Sequence, residues 1–292
     1  MKLQYPDSRG LAGICRLFGV TRQAFYKKIK HSDKLILHHE IVLQMVEQIR
    51  TIPQWKRTGT PKLHLKFKPQ FEKMNIKMGR VALHNLIMDY GLHVRQRRRR
   101  VITTNSFHHY RKYPNLILGL QLLNPGLVWV SDITYITLTD RFIYLFLITD
   151  AYSRKIVGYC LSPSLAAEGA LEALHMAVRQ YKPSTLRSVI HHSDRGIQYA
   201  CSEYVNALGK IGAKISMAAK GNPYENPLAE RVNGILKNEM GLDREFQFFD
   251  EAAHEVITTI EMYNKERNHS SINMLTPAIA HTMTGSIPKK WK

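Results

Sequence analysis

Trp129-Val130-Ser131-Asp132-Ile133-Thr134 is the stretch whose reading decides the fold, because it sets a carboxylate inside an apolar, alternating run. Alternation places Val128, Val130, Asp132, Thr134 and Ile136 on one face of a strand and Trp129, Ile133 and Tyr135 on the other. A carboxylate is costly to bury unpaired in such a strand, so Asp132 points to function. Two further acids follow in order. Asp194 closes Val189-Ile190-His191-His192-Ser193-Asp194, a short apolar run, and Glu230 stands in Asn226-Pro227-Leu228-Ala229-Glu230-Arg231, where a helical pattern begins. Residues 195–229, thirty-five of them, separate the last two acids.

Outward from Asp132 the pattern predicts a meander. Thr139-Asp140-Arg141 turns the first strand into a second, Phe142 to Thr149, and Ala151-Tyr152-Ser153-Arg154 turns that into a third, Lys155 to Tyr159. A helix over 166–181, a strand over 187–192 ending at Asp194, a helix over 202–210 and a strand over 214–217 come next. The turn-rich Lys220-Gly221-Asn222-Pro223 leads to a helix with Asn226 as cap and Pro227 at its first position, and an amphipathic helix spans 250–266. This order is that of a ribonuclease-H-like core, an α/β domain with a mixed five-stranded sheet and helices, predicted for 126–284.

In such a sheet Asp132 and Asp194 are neighbours, and a helix passing the same edge brings Glu230 to them. Hard carboxylate oxygens suit Mg²⁺ or Mn²⁺, while Cys15, Cys160 and Cys201 form no zinc spacing. Two such ions, about 3.5–4 Å apart, assist in-line phosphoryl displacement. The competing acids have plainer readings: Asp140 and Asp150 sit at turns, Glu225 precedes the helix cap, and Glu239 lies more than two turns along that helix. Asn233 and Lys237, at plus three and plus seven from Glu230, share its helix face and are expected to meet DNA. His192, beside the second acid, and Trp129, before the first, are the supporting candidates; for the His191-His192 pair, packing is favoured over direct ligation.

Upstream the chain reads as all-α. Residues 1–38 carry a helix-turn-helix pattern, with Leu11, Ile14, Cys15 and Phe18 at helical spacing, a break at Gly19 and Thr21 capping a second helix. Arg22, Gln23 and Lys27 then lie on or near the exposed face of a recognition helix. Residues 39–95 predict a helical DNA-binding module: a helix over 40–50 with Val42, Met45, Val46 and Ile49 inward, one started by Thr60-Pro61, and one over 79–90 with Leu83, Leu86, Ile87 and Tyr90 inward. A basic linker, 96–125, opens with Arg97, Arg98, Arg99 and Arg100, which suit phosphates, and a basic tail occupies 285–292.

The charge agrees with this. Forty-two Lys and Arg against 23 Asp and Glu leave +19, the balance of a protein with a polyanionic partner, of which nucleic acid leads. No apolar run reaches transmembrane length and no signal peptide is visible, so no membrane partner and a cytoplasmic, nucleoid-associated location are expected.

Together these residues resemble the DDE transposases of bacterial insertion sequences, in the retroviral-integrase-like superfamily, and above all the second reading-frame product of two-frame, IS-three-type elements. The matching segments are Trp129…Asp132-Ile133-Thr134-Tyr135, Asp150…Ser153-Arg154, His192-Ser193-Asp194-Arg195-Gly196…Gln198-Tyr199, Ala229-Glu230-Arg231…Asn233-Gly234…Leu236-Lys237, Tyr263-Asn264…Arg267…His269 and Leu275-Thr276-Pro277-Ala278. The resemblance implies that Asp132, Asp194 and Glu230 are a metal-binding catalytic triad in a polynucleotidyl transferase that cleaves element ends and then joins the freed 3′-OH to another phosphodiester. It further implies Mg²⁺ or Mn²⁺, two ions per site, element ends and target DNA as partners, a homo-oligomer on DNA, and the first-frame product or a frameshift fusion with it. Glu225-Asn226 stands where the family has Asp-Asn, and Arg57-Thr58-Gly59-Thr60 replaces its aromatic patch. Two other readings remain: a catalytically inactive DNA-binding regulator, which the intact acids oppose, and a ribonuclease-H-like nuclease without strand transfer.

Overall fold

The computed structural model describes residues 10–94, 109–219 and 226–287. Contacts divide these into two compact units, one built from residues up to Ile52 together with Gly59–His93, the other from Pro53–Thr58 together with Val94 onward.

The first unit is all-α: α1 (Leu11–Leu17), α2 (Arg22–Arg50), α3 (Thr60–Lys73) and α4 (Arg80–Asp89). Gly19 takes φ +66° between α1 and α2, and the Thr21 side chain accepts from Ala24 N at 3.1 Å, capping α2 as expected. The expected recognition helix does not end, however. It continues without break into the helix expected at 40–50, because neither Gly nor Pro interrupts residues 22–50. Val42, Val46 and Ile49 are buried along its second half. Two details differ in α3 and α4. Gly59, not Thr60, occupies the cap position of α3, and Tyr90, expected inward, is exposed because it lies past the last residue of α4, where the chain turns through Gly91.

The second unit holds a mixed sheet. Strands β1 (Val128–Leu138), β2 (Phe142–Asp150) and β3 (Ile156–Ser162) form the antiparallel meander. Helices α5 (Ala167–Val178) and α6 (Pro183–Leu186) lead to β4 (Ile190–Ser193), and α7 (Ile197–Ala200) and α8 (Ser202–Ile211) lead to β5 (Lys214–Met217). The strand order is β3-β2-β1-β4-β5, with β4 parallel to β1 and β5 parallel to β4. This is the ribonuclease-H-like arrangement. α9 (Pro227–Gly234) runs into a π-helical turn, Ile235–Glu239, then come β6 (Glu245–Phe246), α10 (Phe249–Lys265), a 3₁₀ turn (Ser270–Ile272) and α11 (Pro277–Ala280). β6 adds a sixth strand to the five expected, pairing parallel with the far end of β1.

Alternation on β1 sorts the core as the sequence pattern predicts. Trp129 and, across the sheet, Phe146 and Ile148 pack under α5 and α8 with Ala173, Leu174 and Tyr204. Ile136, Leu138 and Leu145 pack on the other face against Val232, Leu236, Val256 and Ile260 of α9, the π turn and α10. Gly158 on β3 is required by this packing, since a Cβ there would meet the Ala173 carbonyl oxygen at 2.1 Å.

Residues 109–125 depart from the expected linker. Leu116 N donates to Ser216 Oγ (2.9 Å), and Ile117 and Leu122 pack on Val128 and Val130, so apolar side chains hold this stretch to the sheet. Pro53–Thr58 also belongs with the second unit: Arg57 Nη1 meets both Asp243 oxygens (2.9 and 2.8 Å) and Gln54 Nε2 donates to Glu255 (2.8 Å).

Candidate active site

On one side of β1, β4 pairs through Val130 and β6 from Thr137, so among the described residues no strand lies beside 131–136 on that edge. The candidate site forms in this gap. The parallel register runs Val128↔Ile190, Trp129↔His191, Val130↔His192; two residues beyond the last pair stand Asp132, still on β1, and Asp194, the first residue past the end of β4. Asp132 is half-buried. Burial first, then the charge of Asp194 and more weakly that of Glu230, push the Asp132 carboxyl up to about 7, against hydrogen bonds from the Ile133 backbone and Asn233. Asp132 is therefore near enough to each of the other two acids to feel its charge.

Helix α9 lies across the gap and serves the strand's loose edge. Asn226 stands at its N-cap position but does not cap it: Nδ2 donates instead to the Ser131 carbonyl (3.1 Å), fixing the helix start to β1. Ala229, Val232 and Leu236 face the core, which leaves Glu230 exposed at the border of that stripe with its carboxyl raised by partial burial. Asn233, one turn on, donates from Nδ2 to Asp132 Oδ2 at 2.7 Å. Expected at a DNA surface, it is 9% exposed and bound to the first acid instead. Lys237 likewise turns inward: Nζ donates to the Tyr135 carbonyl (2.9 Å) and lies 3.6 Å from the centre of the Tyr135 ring. The π turn explains this, because a wider turn after Gly234 breaks the seven-residue repeat that would keep Lys237 in line with Glu230.

Asp194 Oδ1 accepts from Gly196 N (2.9 Å), which orders the loop after β4 while leaving Oδ2 to the site. His192 is buried with Nδ1 2.8 Å from Ser216 Oγ, and His191 Nε2 contacts Ser131 Oγ (2.7 Å) and Tyr204 OH (2.9 Å). Both rings are packing groups, and burial holds His191 near 3, uncharged. Trp129 is fully buried against Tyr181 and lends the site only its strand.

Asp150 and Glu239 each have partners of their own. Asp150, fully buried, accepts from Ser153 N, Ser153 Oγ and Gly126 N at 2.7–2.8 Å and orders the turn after β2. Glu239 holds Arg267 at 2.5 Å and Arg231 at 3.3 Å, tying the end of the π turn to the segment after α10. That role for Arg267 was not legible in the sequence, nor was that of Asn264, whose amide closes both the N–H and C=O of Ile156. Arg22, Gln23 and Lys27 are exposed in the first turns of α2. Arg97–Arg100, Lys220–Pro223, Glu225 and residues 288–292 lie outside the described residues.

Among the described residues no three His, Cys, Asp or Glu side chains converge closely enough to enclose an ion between them. The donor chemistry nevertheless fits a hard divalent cation: Asp132 and Asp194 each stand two residues beyond the last pair of β1 and β4, and the repulsion that Asp194 and Glu230 exert at Asp132 is what a cation relieves. No described helix is long and apolar enough to cross a membrane.

A mixed sheet with acids at this place defines an integrase-type core, and two integrase core domain models match the sequence, over residues 123–223 and 211–277. A 31 kDa protein of insertion element IS600 from Shigella sonnei is 34% identical over 91% of this chain and 96% of its own. Transposase InsF of insertion sequence IS3A from Escherichia coli is 27% identical over 91% and 92%. Among solved structures, the intasome of simian T-cell lymphotropic virus in complex with PP2A regulatory subunit B56 gamma aligns with TM-score 0.47 at 18% identity, over 79% of this chain and 77% of that one. The chain belongs to the insertion-sequence transposases with an integrase core, of the IS3 type. It is a DDE transposase, a polynucleotidyl transferase that acts on DNA.

Proposed function

We propose that Asp132, Asp194 and Glu230 are the catalytic acids of this transposase and that they act on a DNA phosphodiester at the gap beside β1. The observation that carries this reading is the placement of Asp132 and Asp194 two residues beyond the last pair of two parallel strands, with the charges of both other acids felt at Asp132. When bound, two Mg²⁺ or Mn²⁺ ions held by these acids would supply charge stabilisation for the attacking and leaving oxygens. Asn233 holds the Asp132 carboxylate in one orientation, and the Gly196 N–H does the same for Asp194.

The chemistry is two in-line displacements at phosphorus, a hydrolysis followed by a transesterification. In the first, a water oxygen forms a bond to phosphorus at the element end, the P–O3′ bond breaks, and the leaving oxygen takes a proton to become a 3′-OH. In the second, that 3′ oxygen forms the new P–O bond to target DNA and a target 3′ oxygen leaves. Bond for bond the second step is balanced, so no external energy source is needed. Exposed Arg22, Gln23 and Lys27 on α2 suit DNA, as does the arginine run 97–100. A homo-oligomer on paired ends and association or fusion with the first-frame product complete the reading.

The test is a cleavage and joining assay on the DNA ends flanking the gene, with this chain, its two-frame fusion, and Glu230→Gln in each. Metal-dependent joining abolished by the substitution is the expected result. Cleavage without joining would leave a nuclease, and binding alone in every form would leave a regulator.

A further inference from the structure

Asp132 and Asp194 line a cleft whose other walls include apolar side chains, Tyr144, Leu165 and Ile197. Leu165 and Ile197 are 39% and 44% exposed, an unusual surface to leave bare beside two carboxylates. The walls are braced. Gln198, itself buried, donates from Nε2 to the Leu165 carbonyl (2.9 Å) and so ties the α7 side of the cleft to the segment before α5. Tyr135, at the floor, is pinned edge-on by Phe142 at 5.1 Å and by Lys237 at 3.6 Å. The cavity measures about 380 Å³, near the lower end of small-ligand sites, about 300–1,000 Å³. That volume can take one nucleobase but not a stretch of duplex.

We infer that this cleft is a subsite for a single unstacked nucleobase of the strand whose phosphate lies at Asp132 and Asp194. The inference rests on the transposase reading above and adds the part of the nucleotide that the acids do not touch. A nucleic acid strand brings an anionic backbone and one kind of apolar planar surface, the face of a base. Within a duplex that face is covered by its neighbours, so it is available to Tyr144 and Ile197 only after the base leaves the stack. Base-on-aromatic stacking is indifferent to sequence, which suits a site that must act on both element ends and target. Divalent cations held by Asp132 and Asp194 would then meet the phosphate end of the nucleotide, and Tyr144, Leu165 and Ile197 hold its base.

The experiment uses the full chain on element-end DNA, with 2-aminopurine or an abasic residue placed in turn at each of the three positions on either side of the cut, in Ca²⁺ for binding and Mg²⁺ for cleavage. One position is expected to show a fluorescence change on binding. Tyr144→Ala is expected to weaken binding of intact ends by about 5- to 150-fold, the range of one base stack. Tyr144→Phe is expected to behave as the unchanged protein. An abasic residue at the responding position is expected to abolish the difference between Tyr144→Ala and the unchanged protein, which a merely misfolded variant would not do. Ile197→Ala, on the opposite wall, is expected to act in the same direction more weakly. Normal cutting and joining with no responding position, or a Tyr144→Ala defect equally large on abasic DNA, would overturn this inference alone. Absence of any cutting by the unchanged protein and its fusion would overturn the transposase site reading and this inference with it.

Discussion

Asn233 Nδ2 lies 2.7 Å from Asp132 Oδ2, so the helix that carries the third acid also grips the first. The hydrogen bond spans from α9 to the middle of β1 and fixes one carboxylate oxygen toward the helix. Removing it is expected to loosen the acid without unfolding the sheet. Asn233→Ala is expected to lower cleavage by about 10- to 100-fold, the usual cost of losing such a partner, and to raise the Mg²⁺ concentration needed for half-maximal rate. A rate unchanged at limiting Mg²⁺ would show that Asp132 needs no such support.

Lys237 is placed as a clamp on the Tyr135 carbonyl and ring. Lys237→Met is therefore expected to cost about 1–3 kcal/mol in urea unfolding, from a charge-assisted hydrogen bond and a cation–π contact. If Lys237 instead leaves Tyr135 for a DNA phosphate, stability stays constant and the salt dependence of binding falls by about one unit of slope. The two measurements separate these outcomes.

The buried pair Arg267–Glu239 gives a stability prediction of another kind. Arg267→Met removes the shorter of the two ion pairs that Glu239 makes with Arg267 and the exposed Arg231, and is expected to cost about 3 kcal/mol. Adding Glu239→Gln should recover a good part of that loss, because the stranded charge is removed. A double variant as unstable as the sum of the singles would rule this out.

His191 supplies the pH dependence. Its folded value near 3 lies well below the usual imidazole value, because burial and His192 oppose the charged form. Above pH 6.5 both folded and unfolded chains hold it neutral. As pH falls from about 6.5 towards 3, the unfolded chain gains a proton that the folded chain refuses, and stability falls. His191→Asn is expected to flatten that acid-side loss by close to one proton in a denaturation series, whatever it costs at pH 7. An unchanged slope would mean that His191 titrates in the folded protein.

Much of the core was legible because its periodicities are strong. The meander, the strand at 214–217 and the helix near 250–266 follow from alternation and turn residues, and Asp132 and Asp194 follow from acids at defined places on strands. The misses have physical causes. A seven-residue repeat puts Lys237 in line with Glu230, but a π turn interrupts that repeat, and nothing in Ile235-Leu236-Lys237-Asn238-Glu239 announces the turn. Asn226 reads as a cap from sequence, yet its amide finds a strand carbonyl that exists only once the sheet is formed. The single helix α2 runs through the expected boundary at residue 38, since no Gly or Pro interrupts Arg22–Arg50, even though Leu35, Ile36 and Leu37 are left exposed there. The six-residue loan of Pro53–Thr58 to the second unit depends on Arg57 reaching Asp243, 186 residues away, which no local pattern encodes.

The gap on β1 has a consequence for how this chain folds. Among the described residues, 131–136 form a length of strand edge at the centre of the sheet that meets side chains of Asn226 and the π turn rather than another strand. Before residues 226–239 have docked, that edge offers unpaired backbone to any extended segment nearby, including the same segment of another chain. A chain ended before Pro227 therefore loses more than Glu230: it is a fragment primed to aggregate, whose surviving strands have lost their guard.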